Sequence, residues 1–241
     1  MIEFYADLSP GIVSSLIITV ALMIITVIIG LRVKKMSVAS VPRGITLVSV
    51  MFVQGINNMM HDFFKKNWKV FTPYMLTILL FLLFANTAAL WGLSTPLSNI
   101  SVALGFSILA FGSIQVAALI VKKPKQRAKD LMDPHPLFLP INLIGEMSTP
   151  FAMGIRLFGN LLSGAIIGII VYGLSHSVGL MFSELLGGDI LGVLGYGFVQ
   201  IFGVSAGAIM IHAIFDIFFG AIQAYVYFML FTIFLSMAVS E

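Results

Sequence analysis

Five long runs of apolar residues follow one another along the chain, separated by shorter polar segments. The first three cover residues 11–31, 73–93 and 99–121, and the last two cover 140–174 and 190–239. A helix of about 20 apolar residues is long enough to cross the hydrocarbon core of a bilayer. The pattern therefore predicts an all-α polytopic membrane protein, with about five crossings in a single membrane domain.

The last two runs are too long for upright spans. At 1.5 Å per residue they correspond to helices of roughly 50 and 75 Å, against a hydrocarbon core of about 30 Å. Either both helices are broken, or they lie steeply tilted as a hairpin. Because a strongly tilted helix exposes polar groups to lipid, we expect a large protein partner to cover this hairpin.

Residues 41–70, between the first two runs, have an amphipathic pattern. Met, Phe and Ile side chains recur there at helical spacing among Gln54, Asn57, Asn58 and His61. Such a pattern is typical of a helix that lies in the membrane interface. We therefore predict an interfacial helix in this segment rather than a crossing.

The composition excludes a water-soluble globule. Hydrophobic residues make up 59% of the 241 residues and charged residues only 10%, whereas soluble domains carry about 25% charged residues. Cysteine is absent, which excludes disulfides, thiolate nucleophiles and Cys-based metal sites.

The basic residues indicate the orientation of the chain rather than binding to nucleic acid. All but one of the 13 Lys and Arg residues fall in the connections 32–70 and 122–135, whereas the segments 1–10, 94–98 and 175–189 hold none. Basic connections stay in the cytoplasm. We therefore expect the N-terminus outside and the C-terminus inside.

Arg156 is the one basic residue inside an apolar run, and it shares a helical face with Thr149, Asn160 and Ser163. A guanidinium group stays protonated in any protein environment. At mid-membrane it costs about 2.5–3.5 kcal/mol on insertion scales. The pattern indicates a fixed positive charge beside an ion path. The alternative is an arginine that snorkels to the interface or pairs with an internal acid.

A second polar face lies in the last run, where His212, Asp216, Gln223 and Tyr227 recur at helical spacing. A carboxyl group inside a membrane can load and unload protons. Asp216 is therefore a candidate ion carrier, and His212 is a candidate for tuning it. The alternative is a salt bridge between Asp216 and Arg156 that only satisfies both charges.

Two other titratable groups flank these faces. Glu146 lies ten residues before Arg156, nearer the cytoplasmic end, where it either lines an exit path or is simply solvated. His176 is expected in the outer loop between the last two runs.

The stretch around Arg156 also makes the chain recognisable. It reads PINLIGEMSTPFAMGIRLFGNLLSG, and IQAYVYFMLFTIFLSMA follows far downstream. Together with FANTAALWGLSTPLSNISVAL, these motifs closely resemble subunit a of the F-type ATP synthase. In that family, subunit a is the non-catalytic membrane stator of a rotary ion motor.

The resemblance implies roles for three matching residues. Arg156 corresponds to the essential arginine that faces the ring of c subunits, Asn160 to the Asn of RLFGN, and Gln223 to a glutamine close to that arginine. The implied partners are the c-subunit ring, the peripheral-stalk b subunits, the whole F1Fo complex and membrane lipid, and no cofactor or nucleic acid is implied. A bacterial plasma membrane is the expected location, and an organellar membrane is also open.

One departure from the family pattern concerns the membrane acid. Many members have Glu nine residues after the arginine and His seven before the glutamine. This chain has Ala165 and Asp216 at those positions. We infer that the acid has moved to Asp216, that the two positions are neighbours across the hairpin, and that Asp216 serves the outer half-channel.

Two other classes of protein remain as alternatives. A secondary transporter usually has inverted repeats and interrupted helices, and no paired halves are visible in this sequence. An intramembrane hydrolase needs a nucleophile with a base or a metal cluster, and the scattered His and acidic residues do not supply one.

Overall fold

Helices make up the regular structure throughout the described part of the chain. A computed structural model describes residues 10–36, 42–65, 68–121, 132, 135, 137 and 139–239. The predicted all-α fold is confirmed for these residues. The first five long helices are α1 Pro10–Lys34, α2 Ile45–Phe64, α3 Trp68–Asn86, α4 Ile100–Val121 and α5 Leu139–Leu185.

The predicted second span ends earlier than its apolar pattern. Helix α3 ends at Asn86, and two 3₁₀ turns, Ala88–Trp91 and Pro96–Ser98, lead into α4. Gly92 closes the first turn with a left-handed backbone at φ +70°, a conformation that suits glycine. We call residues 87–99 the α3–α4 connection.

The last apolar run is helical from 190 to 239, but two segments of it are π-helical instead of α-helical. It consists of the α-helical pieces α6 Ile190–Val199, α7 Ser205–Ile211 and α8 Gly220–Val239. Between them lie two π-helical segments, Gln200–Val204 and His212–Phe219. A π-helical turn shifts the face on which later side chains lie, and such turns are frequent at functional sites.

Helices α5 and α6 form the expected hairpin, but its turn lies further along the chain than predicted. Helix α5 continues past residue 174 to Leu185, so the placement of His176 in the outer loop was wrong. His176 lies in α5, and its Nδ1 is 2.9 Å from the hydroxyl oxygen of Tyr196. The turn uses Gly187 and Gly188, both at positive φ.

Glycines let the two arms of the hairpin approach closely. A Cβ on Gly192 would lie 2.7 Å from the carbonyl oxygen of Ser183, and one on Gly207 would lie 2.6 Å from Cγ1 of Val171. These contacts define one antiparallel register along the arms. The arms are roughly 70 Å long at 1.5 Å per residue, so they cannot stand upright in a core of about 30 Å.

The packed core lies where α8 meets α3 and α4. Its largest fully buried side chains include Met75 and Leu82 of α3, and Tyr227, Phe228 and Phe231 of α8. Helix α1 is peripheral, because only Ser14 and Ile18 are buried in it. Its other apolar side chains face outward, as expected for contact with lipid or a partner.

The structure supports several membrane crossings. Six segments of the described chain are long and apolar enough to cross, and the run 190–239 contributes two of them. The amphipathic helix α2 is not among these segments, and its interfacial position stays a prediction. The protein is therefore a multi-pass membrane protein.

Candidate functional site

A cavity of about 300 Å³ lies between the hairpin and the α3–α4 connection. Its walls come from three parts of the fold: the connection itself, the middle of α5 and the second π-helical segment. The lining residues are Ala89, Thr95, Ser98, Leu161, Gly164, Ala165, Gly168, Ile169, Tyr172, Phe215 and Asp216. Polar groups of the connection and a membrane carboxyl group thus share one space.

Asp216 lies in the second π-helical segment and is only 8% exposed. The expectation that it neighbours Gly164 and Ala165 agrees with the geometry, because all three residues line the cavity. Helix α5 and the second π-helical segment pack closely here, since a Cβ on Gly164 would lie 3.2 Å from Cβ of Phe215, the residue before Asp216. A carboxyl group introduced at residue 165 would therefore enter the same cavity as that of Asp216.

Asn86 of α3 contacts the backbone where the second π-helical segment passes into α8. Its Nδ2 donates a hydrogen bond of 3.1 Å to the carbonyl oxygen of Gly220, and both residues are buried. A Cβ on Gly220 would lie 3.2 Å from Cβ of Asn86. Asn86 was not predicted as a site residue from the sequence, although an amide inside the apolar FANTAAL stretch was the available signal.

Arg156 lies on an outward face of α5. Its side chain is exposed, as is that of Ser163, while Thr149 and Asn160 are half-buried. The opposite side of the helix is held in the protein by buried residues such as Met153 and Leu157. The polar face that the sequence predicted therefore points away from the core of this chain.

Gln223 and Tyr227 lie on the inner side of α8. Gln223 is 9% exposed and Tyr227 1%, and the Tyr227 hydroxyl donates a 2.8 Å hydrogen bond to the carbonyl oxygen of Phe106. Gln223 is thus buried while Arg156 is exposed. The backbone of His212 begins the second π-helical segment, and its side chain lies outside the described part of the structure.

Glu146 is half-buried near the start of α5 and has a partner on α4. Its Oε2 accepts a 2.7 Å hydrogen bond from Nε2 of Gln115. Sequence analysis selected Glu146 but missed Gln115, because nothing in the sequence sets the register between the two helices. The contact shows that Glu146 is not simply a solvated surface acid.

The polar groups do not form a metal site in the described residues. No group of three or more His, Asp, Glu or Cys side chains is close enough there to hold an ion. The chemistry available along the hairpin is that of the carboxyl groups of Glu146 and Asp216 and of the permanent positive charge of Arg156, each on a different part of the long helices. Such an arrangement can exchange protons or attract an anionic group.

The fold and this site define a polytopic membrane protein with ionisable groups set along a long helical hairpin. The family model described as "ATP synthase A chain" matches residues 13–236. The chain therefore belongs to the ATP synthase A chain family, and the resemblance stated from its motifs is confirmed.

Three curated relatives show the extent of the similarity. "ATP synthase subunit a 2" of Chlorobaculum tepidum is 28% identical over 249 aligned positions, which cover 99% of this chain and 65% of the relative. The proteins of the same name from Bradyrhizobium sp. and Acaryochloris marina are 28% and 26% identical. Those alignments cover 49% and 54% of this chain, and 54% and 56% of the relatives. The aligned part of the chain thus spans between about half and two thirds of each relative's length.

Proposed function

We propose that this chain is the ion-translocating stator subunit in the Fo sector of a rotary ATP synthase. It provides two proton half-channels and the arginine that faces the c-subunit ring. The observation that carries the proposal is the cavity between the α3–α4 connection and the buried Asp216. A buried carboxyl group beside such a cavity suits proton entry.

The orientation follows from the basic connections. With residues 32–70 and 122–135 in the cytoplasm, the N-terminus is outside and the α3–α4 connection also faces outward. The cavity then opens toward the outer side of a bacterial plasma membrane.

Asp216 receives protons from the outer side. A proton enters past Thr95 and Ser98, binds the Asp216 carboxylate, and moves on to a carboxylate carried by the c-ring. The rotor carboxyl group becomes neutral, so that it can turn into lipid without the cost of burying a charge. Gln223 and His212 belong to the same path.

Arg156 separates the two half-channels. Its exposed side chain on α5 suits contact with a partner, and its permanent charge attracts the rotor carboxylate once that group has lost its proton. The same charge repels any proton that would cross without turning the ring. Asn160 and Ser163, next to it on α5, contact the same partner.

The inner half-channel leads to the cytoplasm past Glu146. A rotor carboxyl group that reaches it after nearly a full turn releases its proton toward this acid. A potential of 100 mV supplies about 2.3 kcal/mol for each charge moved. Several such steps are therefore needed for each ATP, and a ring can accumulate them.

The partners follow from the same role. The outward face around Arg156 meets the c-ring, the peripheral-stalk b subunits anchor the stator, and catalysis belongs to the F1 sector. The exposed apolar side chains of α1, such as Met23 at 62% exposure, face lipid or another subunit.

ATP-driven acidification of inverted membrane vesicles containing the assembled complex tests this proposal. Asp216→Asn should abolish acidification while assembly stays normal. Asp189→Asn is the matched control, because Asp189 lies in the hairpin turn and does not line the cavity. Unchanged pumping by Asp216→Asn would contradict the role of this acid. A requirement for sodium in the wild type would keep the architecture and change the carried ion.

A further inference from the structure

The contact between α4 and α5 has a register that two separate observations agree on. Gly154 of α5 lies against Ser107 of α4, and a Cβ on Gly154 would also come within 2.6 Å of the carbonyl oxygen of Ala103. Glu146 lies eight residues before Gly154, and Gln115 lies eight residues after Ser107. In antiparallel helices this spacing brings Gln115 opposite Glu146, where the 2.7 Å hydrogen bond is found.

Both partners lie in the part of the helices nearest the basic connections. Gln115 is about 9 Å from the end of α4 at Val121, and Glu146 is about 10 Å from the start of α5 at Leu139, at 1.5 Å per residue. Arg156 is a further 15 Å or so along α5. The hydrogen-bonded pair therefore lies between the arginine and the cytoplasmic end of the helix.

The chemistry of the two side chains determines which one donates the hydrogen bond and which one can carry a proton. A carboxylate only accepts hydrogen bonds, so the amide of Gln115 presents its NH₂ group to Glu146. Bonds to a charged acceptor are among the stronger hydrogen bonds in proteins. The amide does not titrate, so it holds the carboxylate in one position without supplying or taking a proton.

We propose that Gln115 is a positioning residue for the inner half-channel. It holds Glu146 where the carboxylate can receive the proton that leaves the rotor and pass it to the cytoplasm. The inference rests on the proposed function, since it gives a task to an acid of that path. The competing explanation is that the pair only joins two membrane helices, as polar pairs often do.

Four variants of the assembled complex test this inference by ATP-driven acidification: Gln115→Met, Glu146→Gln, the double variant Gln115→Met with Glu146→Gln, and the swap Gln115→Glu with Glu146→Gln. Gln115→Met should slow pumping about tenfold, which corresponds to losing one hydrogen bond to a charged group. The double variant should be no slower than Glu146→Gln alone. The swap keeps one carboxylate bonded to one amide, so it should recover part of the pumping.

The matched control is Tyr74→Phe. The Tyr74 hydroxyl is 2.6 Å from Oγ of Ser113, so this change removes a hydrogen bond between α3 and α4 close to Gln115 without touching Glu146. Pumping by Tyr74→Phe should stay within about twofold of the wild type, because polar bonds between membrane helices are worth only about 0.6 kcal/mol on average.

The outcomes separate this inference from the proposed function. Normal pumping by Glu146→Gln would remove Glu146 from the inner half-channel and overturn the inference, whereas the pumping itself would leave the proposed stator role intact. Slow pumping by Glu146→Gln beside normal pumping by Gln115→Met would overturn the inference alone. If the losses of pumping rate from the two single changes added up in the double variant, this too would overturn the inference alone. If Gln115→Met does not assemble, the swap variant becomes the test of the inference. A swap variant that pumps no faster than Glu146→Gln would contradict the positioning role.

Discussion

Asp216 and Ala165 line one cavity from two different helices, Asp216 from the second π-helical segment and Ala165 from α5. By the family resemblance, many members have an acid at the position of Ala165 in α5. The shared cavity means that a carboxyl group at either position would occupy the same space. We therefore propose that transport depends on a carboxyl group in this cavity, whichever of the two positions supplies it.

Moving the acid back should restore transport. Asp216→Asn should block ATP-driven acidification, and adding Ala165→Glu should recover part of it, because the new carboxyl group enters the same cavity. The double variant Asp216→Asn with Ala165→Gln is the control, since it matches the added volume without the acid. Equal pumping by the two double variants would contradict the idea of a relocated acid.

Arg156→Lys should assemble normally but lose coupled pumping. A lysine ammonium can lose its proton when it is desolvated, whereas guanidinium cannot, so the barrier against proton leakage would fail. The same substitution at Arg43, just before α2, is the control and should leave pumping unchanged. Pumping rate and ATP hydrolysis are measured together, and normal coupling in Arg156→Lys would contradict the need for a permanent charge.

Gly154→Ala should destabilise the contact between α4 and α5. The added methyl group would collide with Ser107 and Ala103, and overpacking of this kind costs about 1–3 kcal/mol. Gly173→Ala is the control in the same helix, because nothing lies within 4 Å of its Cβ position. Thermal unfolding of the purified complex should give a lower Tm for Gly154→Ala only, and equal Tm values would argue against the tight contact.

Asn86→Leu should weaken the link between α3 and α8. The carbonyl oxygen of Gly220 would lose its hydrogen bond from Asn86, at a cost of about 0.5–1.5 kcal/mol. Thr77→Val removes a local 2.8 Å hydrogen bond to Pro73 on the exposed side of α3 and should change stability much less. The Tm of the purified complex is measured for both variants. Equally small decreases in Tm for Asn86→Leu and Thr77→Val would show that the hydrogen bond to Gly220 contributes little to stability.

The periodicity of apolar residues was enough to predict the long helices, although it left open whether the last two were broken or formed a tilted hairpin. It failed near residue 174, because Ser175, His176 and Ser177 have the composition of a loop. In the structure these residues make tertiary contacts that favour the helix: Gln200 donates to the carbonyl oxygen of Ser175, and His176 contacts Tyr196. A sequence pattern does not include such partners.

The candidate site was predictable where chemistry makes a residue unusual. Arg156 and Asp216 stand out because charges are costly inside a membrane. Gln115 and Asn86 do not stand out in this way, since an amide in a membrane helix is a common packing group. Their positions depend on helix register, and the register between α4 and α5 follows from the close contact at Gly154.

Passive proton flow through the Fo sector after removal of F1 is the most direct test of the proposed outer proton path. Vesicles carrying a potassium diffusion potential would report proton uptake without any contribution from catalysis. We expect rapid uptake with the wild-type chain and loss of uptake with Asp216→Asn at the same level of assembled Fo. Equal uptake by both would contradict the claim that this chain carries the outer proton path through Asp216.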